Sequence, residues 1–263
     1  MIDFHNHILP DVDDGPKTIE ESLKMLSIAA DQGITDVVNT VHFQHPKMGK
    51  KNVEIKFLRS KVNELQKLIN HRKLNIKIHL TAEVFYLPNL SKVSENSLVT
   101  IGNGKYMLIE FLANIFPFGY EDEIFNLQSK GITPIIAHPE RYRFIQKDIN
   151  ILESWIDRGY ILQIDAGSIL GHFGEKIKKI TIKMINNGFI HLIGSDAHNN
   201  KKRNFCLLEA YSYLRNSMSE NLVDQLKENA FNVLNGDKIS LIITKGNNKN
   251  KLSFLDIIKS KLS

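Results

Sequence analysis

Seven short apolar segments, most of them rich in isoleucine or valine, recur along the chain at intervals of about 25 to 40 residues. They are IDFH (2–5), ITDVVNT (34–40), IKIHLTAE (76–83), YMLIEF (106–111), ITPIIA (132–137), YILQI (160–164) and IHLIGSD (190–196). Each interval holds one helix with its loops, which is the spacing of repeated βα units feeding a parallel sheet. Several intervening stretches read as helices. In TIEESLKMLSIAADQG, Thr18 is placed to cap the amino terminus, Glu21 is its capping-box partner and Gly33 is the stop. VEIKFLRSKVNELQKLI (53–69) has apolar residues at three- and four-residue spacing. EDEIFNLQSKG (121–131), ILESWIDRG (151–159) and ITIKMINNG (180–188) each end on glycine.

Repeated βα units build either an open doubly wound sheet or a closed barrel. The first strand runs into HNHILPDVDDG with no glycine-rich phosphate loop, which counts against a nucleotide-binding doubly wound domain. Polar residues instead sit at the carboxyl end of almost every strand. Side chains from so many strand ends converge only if the sheet closes. The expected fold is therefore α/β, an irregular seven-stranded TIM-like barrel one unit short of eight. No internal repeat or linker divides it, so residues 1–263 read as a single domain. Past about residue 240, GNNKNK reads as a flexible break and the last apolar residues as a short terminal helix.

Composition closes off several classes. Hydrophobic residues at 42% supply a large core and exclude disorder as the dominant state. The single cysteine, Cys206, excludes an intrachain disulfide scaffold and a four-cysteine zinc knuckle. No apolar run approaches the roughly 20 residues that span a bilayer, and MIDFHNHILPD has histidines and aspartates where a signal peptide has lysines and an apolar stretch. These features predict a cytoplasmic protein without stable membrane insertion. The net charge of +5 is a mild attraction for anions. Its short lysine runs at 47–51 and 201–202 lack the long basic stripe and interleaved aromatics of nucleic-acid binding.

The polar residues at the strand ends have the chemistry of metal ligands. His5 and His7, two apart on a strand, face the same side, and both imidazoles can reach one ion. Asp3 shares that parity and is placed to orient His5. His42 follows the second strand, Glu83 ends the third, Glu110 lies near the end of the fourth, His138 follows the fifth, and Asp196 and His198 close the seventh in SDAH. Asp14 sits in the loop after the first strand, where a barrel has its mouth. Glu110 lies among apolar neighbours, where an unpaired carboxylate costs several kcal/mol. Four carboxylates and neutral histidines leave the cluster near zero with two divalent ions and near +2 with three. A net positive cluster suits a phosphate ester, and such ions also make hydroxide available near neutral pH. Mixed histidine and carboxylate ligation without thiolate fits manganese, iron or zinc. Arg141 and Arg203 are candidate phosphoryl ligands, Arg203 from the opposite rim. Glu140 and Arg143 are adjacent alternatives, and His45 in VHFQHP is near enough to His42 to line the mouth, although an ordinary loop histidine fits that position better.

The segments DFHNHILPDVDDGP (3–16), TVHFQHP (40–46), TAEVFY (81–86), YMLIEF (106–111), KGITPIIAHPER (130–141) and HLIGSDAHN (191–199) together resemble the PHP (polymerase and histidinol phosphatase) superfamily. Within it they resemble the bacterial manganese-dependent protein-tyrosine phosphatases of capsule and exopolysaccharide loci. The resemblance covers residues 1 to about 200 in the family's order and implies a distorted (β/α)7 barrel carrying three divalent ions at the carboxyl ends of its strands. It implies one ion on His5, His7, Glu83 and Asp196, a second on Glu83, Glu110 and His138, and a third on Asp14, His42 and His198. Arg141 and Arg203 match the family's phosphate-binding arginines. The implied substrate is the phosphorylated tyrosine-rich tail of a bacterial autokinase, with oligomeric state left open. TVHFQHP departs from relatives that have a proline before the ligand histidine or a second histidine after it, which bears on the pocket rim.

Other readings are weaker on the residues. The cysteine-dependent phosphotyrosine mechanism needs an arginine six residues after the nucleophile, and Cys206 is followed there by Ser212. A small-molecule phosphatase of the same superfamily, acting for instance on histidinol phosphate, shares the metal ligands and is disfavoured by the HPER and DDG segments. A non-enzymatic metal-containing scaffold has no need of a multi-ion cluster with open positions.

Overall fold

The structure, a computed structural model, describes residues 1–48 and 54–239. The expected break at GNNKNK and the terminal helix lie outside the described residues. The strands are β1 (Ile2–Asn6), β2 (Asp36–Phe43), β3 (Lys77–Phe85), β4 (Tyr106–Glu110), β5 (Thr133–Ala137), β6 (Ile161–Asp165) and β7 (Leu192–Gly194). All are parallel and pair in chain order from β1 to β7 in one sheet. Closure comes just beyond β7. Asn6 bridges in parallel to Ala197, His7 N donates to Ala197 O at 2.8 Å, and Asp196 N donates to His5 O at 2.7 Å. The sheet thus closes into a distorted seven-stranded barrel, tied between its first and last strands mainly at the carboxyl end.

The helices between the strands are α1 (Ile19–Asp31), α2 (Ile55–His71), α3 (Leu90–Val93), α4 (Tyr120–Ser129), α5 (Arg143–Lys147), α6 (Ile151–Asp157), α7 (Ala166–Leu170) and α8 (Glu175–Asn186). Two more, α9 (Leu207–Ser217) and α10 (Glu220–Asn235), follow β7. α1 starts as its sequence predicts. Thr18 Oγ1 accepts from Glu21 N at 3.2 Å, while Glu21 Oε2 reaches back to Lys17 N at 2.7 Å. α8 begins at Glu175, five residues ahead of the predicted 180, because its first turn is lysine-rich and mostly solvated. Only Thr181, Met184 and Ile185 of that helix are buried.

Two apolar layers hold the barrel. Inside it, Phe4, Val38, Leu108, Ile135, Ile161 and Leu192 pack together, with Ala230 and Val233 of α10 closing the bottom. α10 is tied there by Asn229 Nδ2 donating to His191 O at 3.0 Å and Lys105 Nζ donating to Gly236 O at 2.6 Å. Outside it, Met25, Leu58, Leu127, Trp155 and Met184 are fully buried between strands and helices. Each such side chain contributes roughly 1.5–3 kcal/mol. The inner layer fills the barrel from below and leaves the carboxyl ends of the strands as the open face.

One irregularity in β1 shapes that face. Asp3 pairs with Val37 but Asn6 pairs with Asn39, so β1 carries one extra residue between them. Alternation breaks there. Phe4 packs into the inner cluster, and the next residue, His5, also reaches inward toward Glu83.

Candidate metal centre

Strand register sets the ligand candidates side by side. His42 lies opposite Glu83 across β2 and β3, and Glu110 lies opposite Phe85 across β3 and β4. His138 follows β5, and Asp196 and His198 follow β7. His138 and Asp196 both hold positive φ, at 33° and 49°, a conformation costly for any residue but glycine and frequent at functional sites. Gly194 permits a close approach of β7 to β1. A Cβ there would stand 2.5 Å from His5 Cβ, so no larger residue fits beside that imidazole.

The structure brings His5, His7, Asp14, His42, Glu83, Glu110, His138, Asp196 and His198 to one mouth, in groups whose ligand atoms lie within 4.8 Å of one another. His5 Nε2 is 3.3 Å from Glu83 Oε2 and 3.7 Å from Asp196 Oδ1, and His7 Nε2 is 3.5 and 3.6 Å from the same two atoms. Ligand atoms about 2.1 Å from a tetrahedral ion stand about 3.4 Å apart, so this set has the spacing of one ion's shell. Asp14 Oδ1 lies 3.2 Å from His42 Nε2 and 3.1 Å from His198 Nε2, and His7 joins that group. Glu83 links the groups: Oε1 is 3.0 Å from His138 Nε2 and Oε2 is 3.1 Å from His42 Nδ1. Glu110 stands 3.9 Å from both of those nitrogens, between His138 and His42.

These side chains fit divalent ions better than they fit one another. His5 Nε2, His7 Nε2, His42 Nδ1 and Glu110 Oε2 are buried without a hydrogen-bond partner among the described residues, a costly state that a metal ion relieves. The field has the matching sign. Burial alone would lower His5 and His42, yet the carboxylates of Glu83 with Asp196, and of Glu83 with Asp14 and Glu110, hold them up at about 10 and about 11. Burial beside Glu83 pushes Glu110 up to about 7. Glu83 and Asp196 are held well below the carboxylate range, against burial, by the surrounding histidines and, for Asp196, also by the two arginines. A site that draws protons onto imidazoles in this way is one that favours cations.

The histidines are gripped from behind. Gln163 Oε1 is 2.8 Å from His5 Nδ1, Asp13 Oδ2 is 2.9 Å from His7 Nδ1, and Asp196 O is 2.9 Å from His198 Nδ1. Each contact directs the imidazole's other nitrogen, Nε2, into the mouth. Sequence reasoning missed Asp13 and Gln163. Asp13 had a signal, the acid beside Asp14 in DVDDG, whereas Gln163 is a polar residue inside an apolar strand. Asp3 does not orient the His5 ring. The β1 bulge removes it from that face, and Asp3 Oδ1 accepts instead from Asn6 Nδ2 at 3.1 Å and Ser195 N at 3.3 Å.

Arg141 Nη1 donates to Asp196 Oδ2 at 2.6 Å and Asp165 Oδ2 at 3.1 Å, and Arg203 Nη2 donates to the same Asp196 oxygen at 2.5 Å. Arg203 is therefore not on an opposite rim. The backbone N–H groups of His198 and Asn199 donate to Arg203 O at 2.8 and 2.9 Å, and this turn folds it back over Asp196. Glu140 is buried, with Oε1 accepting from Asp165 N at 2.9 Å, and Arg143 is exposed at the start of α5. Lys47 and His45 line the same opening, a cavity of about 130 Å³. Cys206 is buried, and burial pushes its thiol up to about 12, which removes it from thiolate chemistry.

Residues 1–235 match the family model described as capsular polysaccharide synthesis, CpsB/CapC. The chain belongs to this family. It is 34% identical over 255 residues to CapC of Staphylococcus aureus, covering 97% of this chain and 99% of that one. It is 33% identical over 231 residues to the tyrosine-protein phosphatase YwqE of Bacillus subtilis, covering 88% of this chain and 90% of that one. Among solved structures, one described with YwqE of B. subtilis and CpsB of Streptococcus pneumoniae as unique metal-dependent tyrosine phosphatases superposes with a TM-score of 0.84. That match has 31% identity and covers 91% of this chain and 96% of the other. An organophosphorus hydrolase of Deinococcus radiodurans shares the barrel alone, at TM-score 0.55 and 13% identity. The matched residues 1–235 include all seven strands and every candidate ligand named above.

Proposed function

We propose that this protein is a metal-dependent phosphatase that hydrolyses phosphotyrosine in proteins. It would act as a single barrel domain in the cytoplasm on the phosphorylated tyrosine tail of a bacterial autokinase that controls capsule or exopolysaccharide synthesis. No helix among the described residues is long and apolar enough to cross a membrane. One observation carries the reading: a cluster of carboxylates and imidazoles with ion spacing opens beside two arginines that converge on one carboxylate oxygen. The relatives named as tyrosine-protein phosphatases supply the substrate class.

The residues divide the work. His5, His7, Glu83 and Asp196 would hold one ion, Glu83, Glu110 and His138 a second, and Asp14, His42 and His198 a third; the ligand set suits manganese, iron or zinc, and the family resemblance favours manganese. Divalent ions supply Lewis acidity toward phosphoryl oxygens and lower the pKa of water. Arg141 and Arg203 bind the phosphoryl group, since donors that already meet on one carboxylate oxygen are aimed to meet on a phosphoryl oxygen. They stabilise the charge that grows on the equatorial oxygens during in-line displacement. The tyrosine leaving group, with a pKa of about 10, departs as a fairly stable phenolate and needs no dedicated acid.

The test is phosphate release from a phosphotyrosyl peptide by protein stripped of metal and then reloaded with manganese. Release that disappears on stripping and returns on reloading is the expected result. Equal release by the stripped protein would overturn the assignment.

A further inference from the structure

Every strand except β6 ends in a candidate metal ligand. The end of β6 carries Gln163 and Asp165 instead, both buried and two apart on one face of the strand. Asp165 belongs to none of the groups with metal-ligand spacing among the described residues. Asp165 Oδ2 accepts from Arg141 Nη1 at 3.1 Å, and Asp165 Oδ1 accepts from Gln163 Nε2 at 3.3 Å. Gln163 Nε2 also donates to Ile164 O at 2.8 Å, which fixes the amide so that Oε1 faces His5 Nδ1 at 2.8 Å. The amide oxygen only accepts, so the His5 Nδ1–H is held against it and Nε2 is the nitrogen left to face the mouth.

Arg141 is held on further sides. Its guanidinium lies over the Phe173 ring, 5.1 Å from the centroid, and the preceding residue, Glu140, accepts the Asp165 backbone N–H at 2.9 Å. Its other carboxylate partner, Asp196, is shared with Arg203 and with the His5 and His7 cluster. Asp165 is the partner that neither the second arginine nor the metal ligands claim. A guanidinium has five N–H donors, so it can keep Asp165 while offering the others to a phosphoryl group.

We propose that Asp165 is a positioning residue, which aims the Arg141 guanidinium at the bound phosphoryl group and, through Gln163, links that aim to the orientation of His5. This rests on the reading that the mouth binds a phosphoryl group. The path runs from metal ligand to substrate ligand through one strand end, so the two halves of the site share a rigid support.

The test is a double-mutant cycle of Asp165→Asn and Arg141→Ala in the full chain loaded with manganese. Three readouts are taken: inorganic phosphate binding by calorimetry, kcat on a phosphotyrosyl peptide, and manganese content. Asp165→Asn keeps the shape and removes the charge. It is expected to weaken phosphate binding and kcat by about tenfold each in the wild-type background. In the Arg141→Ala background it is expected to change neither, and manganese content stays at the wild-type level. Additive losses in the double variant, or manganese lost from Asp165→Asn alone, would overturn the proposal. If Asp165→Asn does not fold, Phe173→Leu removes the other support of the guanidinium. A loss of about threefold that vanishes in the Arg141→Ala background then supports the same positioning, and an additive loss overturns it. Should the wild type bind phosphate yet leave the peptide intact, the substrate reading falls while the calorimetric cycle still decides the role of Asp165. A wild type that binds no phosphate overturns both.

Discussion

Gly194→Ala tests whether the metal cluster depends on the close packing of β7 against His5. The new methyl carbon would stand 2.5 Å from His5 Cβ and 2.9 Å from His5 N, where carbon contacts settle at about 3.5–4.0 Å. One neighbour is backbone and the other is the carbon fixed directly to it, so neither can swing aside and His5 must retreat by about 1 Å. Ligand distances in a metal site hold to about 0.2 Å, and His5 Nε2 already sits 3.3 Å from Glu83 Oε2. The retreat takes the imidazole out of the shell. Metal affinity should fall at least 10–100-fold, the scale seen when a ligand histidine loses its support. Overpacking costs about 1–3 kcal/mol, within the 5–15 kcal/mol of a typical domain, so the variant still folds. The assay is manganese titration against a competing chelator, with thermal melts in excess chelator as the folding control. A variant that melts normally and binds manganese within twofold of the wild type would refute the packing argument.

Other perturbations separate the roles. Arg141→Ala should lower kcat about 10²-fold while manganese content stays intact, because in the proposed function this arginine stabilises charge and ligates no ion; loss of metal in that variant, measured by elemental analysis, would contradict the role. His138→Ala should do the reverse, losing metal first and activity with it, and full metal content without activity would count against ligation. Asp13→Asn removes the carboxylate behind His7 Nδ1 and should weaken manganese binding about 10–100-fold, read by the same chelator competition. In metal-free protein, His5 and His42 are held up at about 10 and about 11 against about 6.5 in an unfolded chain. Their contribution is fully present below pH 6.5 and fades as pH rises toward 10, because the folded state holds protons that the unfolded state has released. Metal-free melts should therefore fall between pH 7 and 10 and flatten with manganese, whose ligands bind deprotonated; a metal-free midpoint that rises over that range would contradict the field.

Most of the site was legible because barrel chemistry concentrates at strand ends, and strand ends can be read from an apolar run meeting a charge. His42, Glu83 and Glu110 lie in or at the ends of β2, β3 and β4, where register brings them side by side. What failed was what a period of two cannot carry. The bulge between Asp3 and Asn6 shifts alternation by one, so Asp3 leaves the face that the sequence assigned to it. Arg203 lies on the side of Arg141 rather than opposite it because of a tight return of the chain, with two backbone hydrogen bonds to Arg203 O, that has no signature in NNKKRNF. Gln163 and Asp165 read in sequence as the end of a buried strand, since the residues they contact are distant along the chain. Burial alone could not reveal them.

The most direct measurement is phosphate release from a phosphotyrosyl peptide and from histidinol phosphate, side by side, by protein stripped of metal and reloaded with manganese. Rapid, metal-dependent release from the peptide and little from histidinol phosphate is the expected result. Strong preference for histidinol phosphate would keep the metal centre and move the substrate to small-molecule metabolism. Release from neither, with manganese fully loaded, would show that the protein is not a phosphatase of this kind.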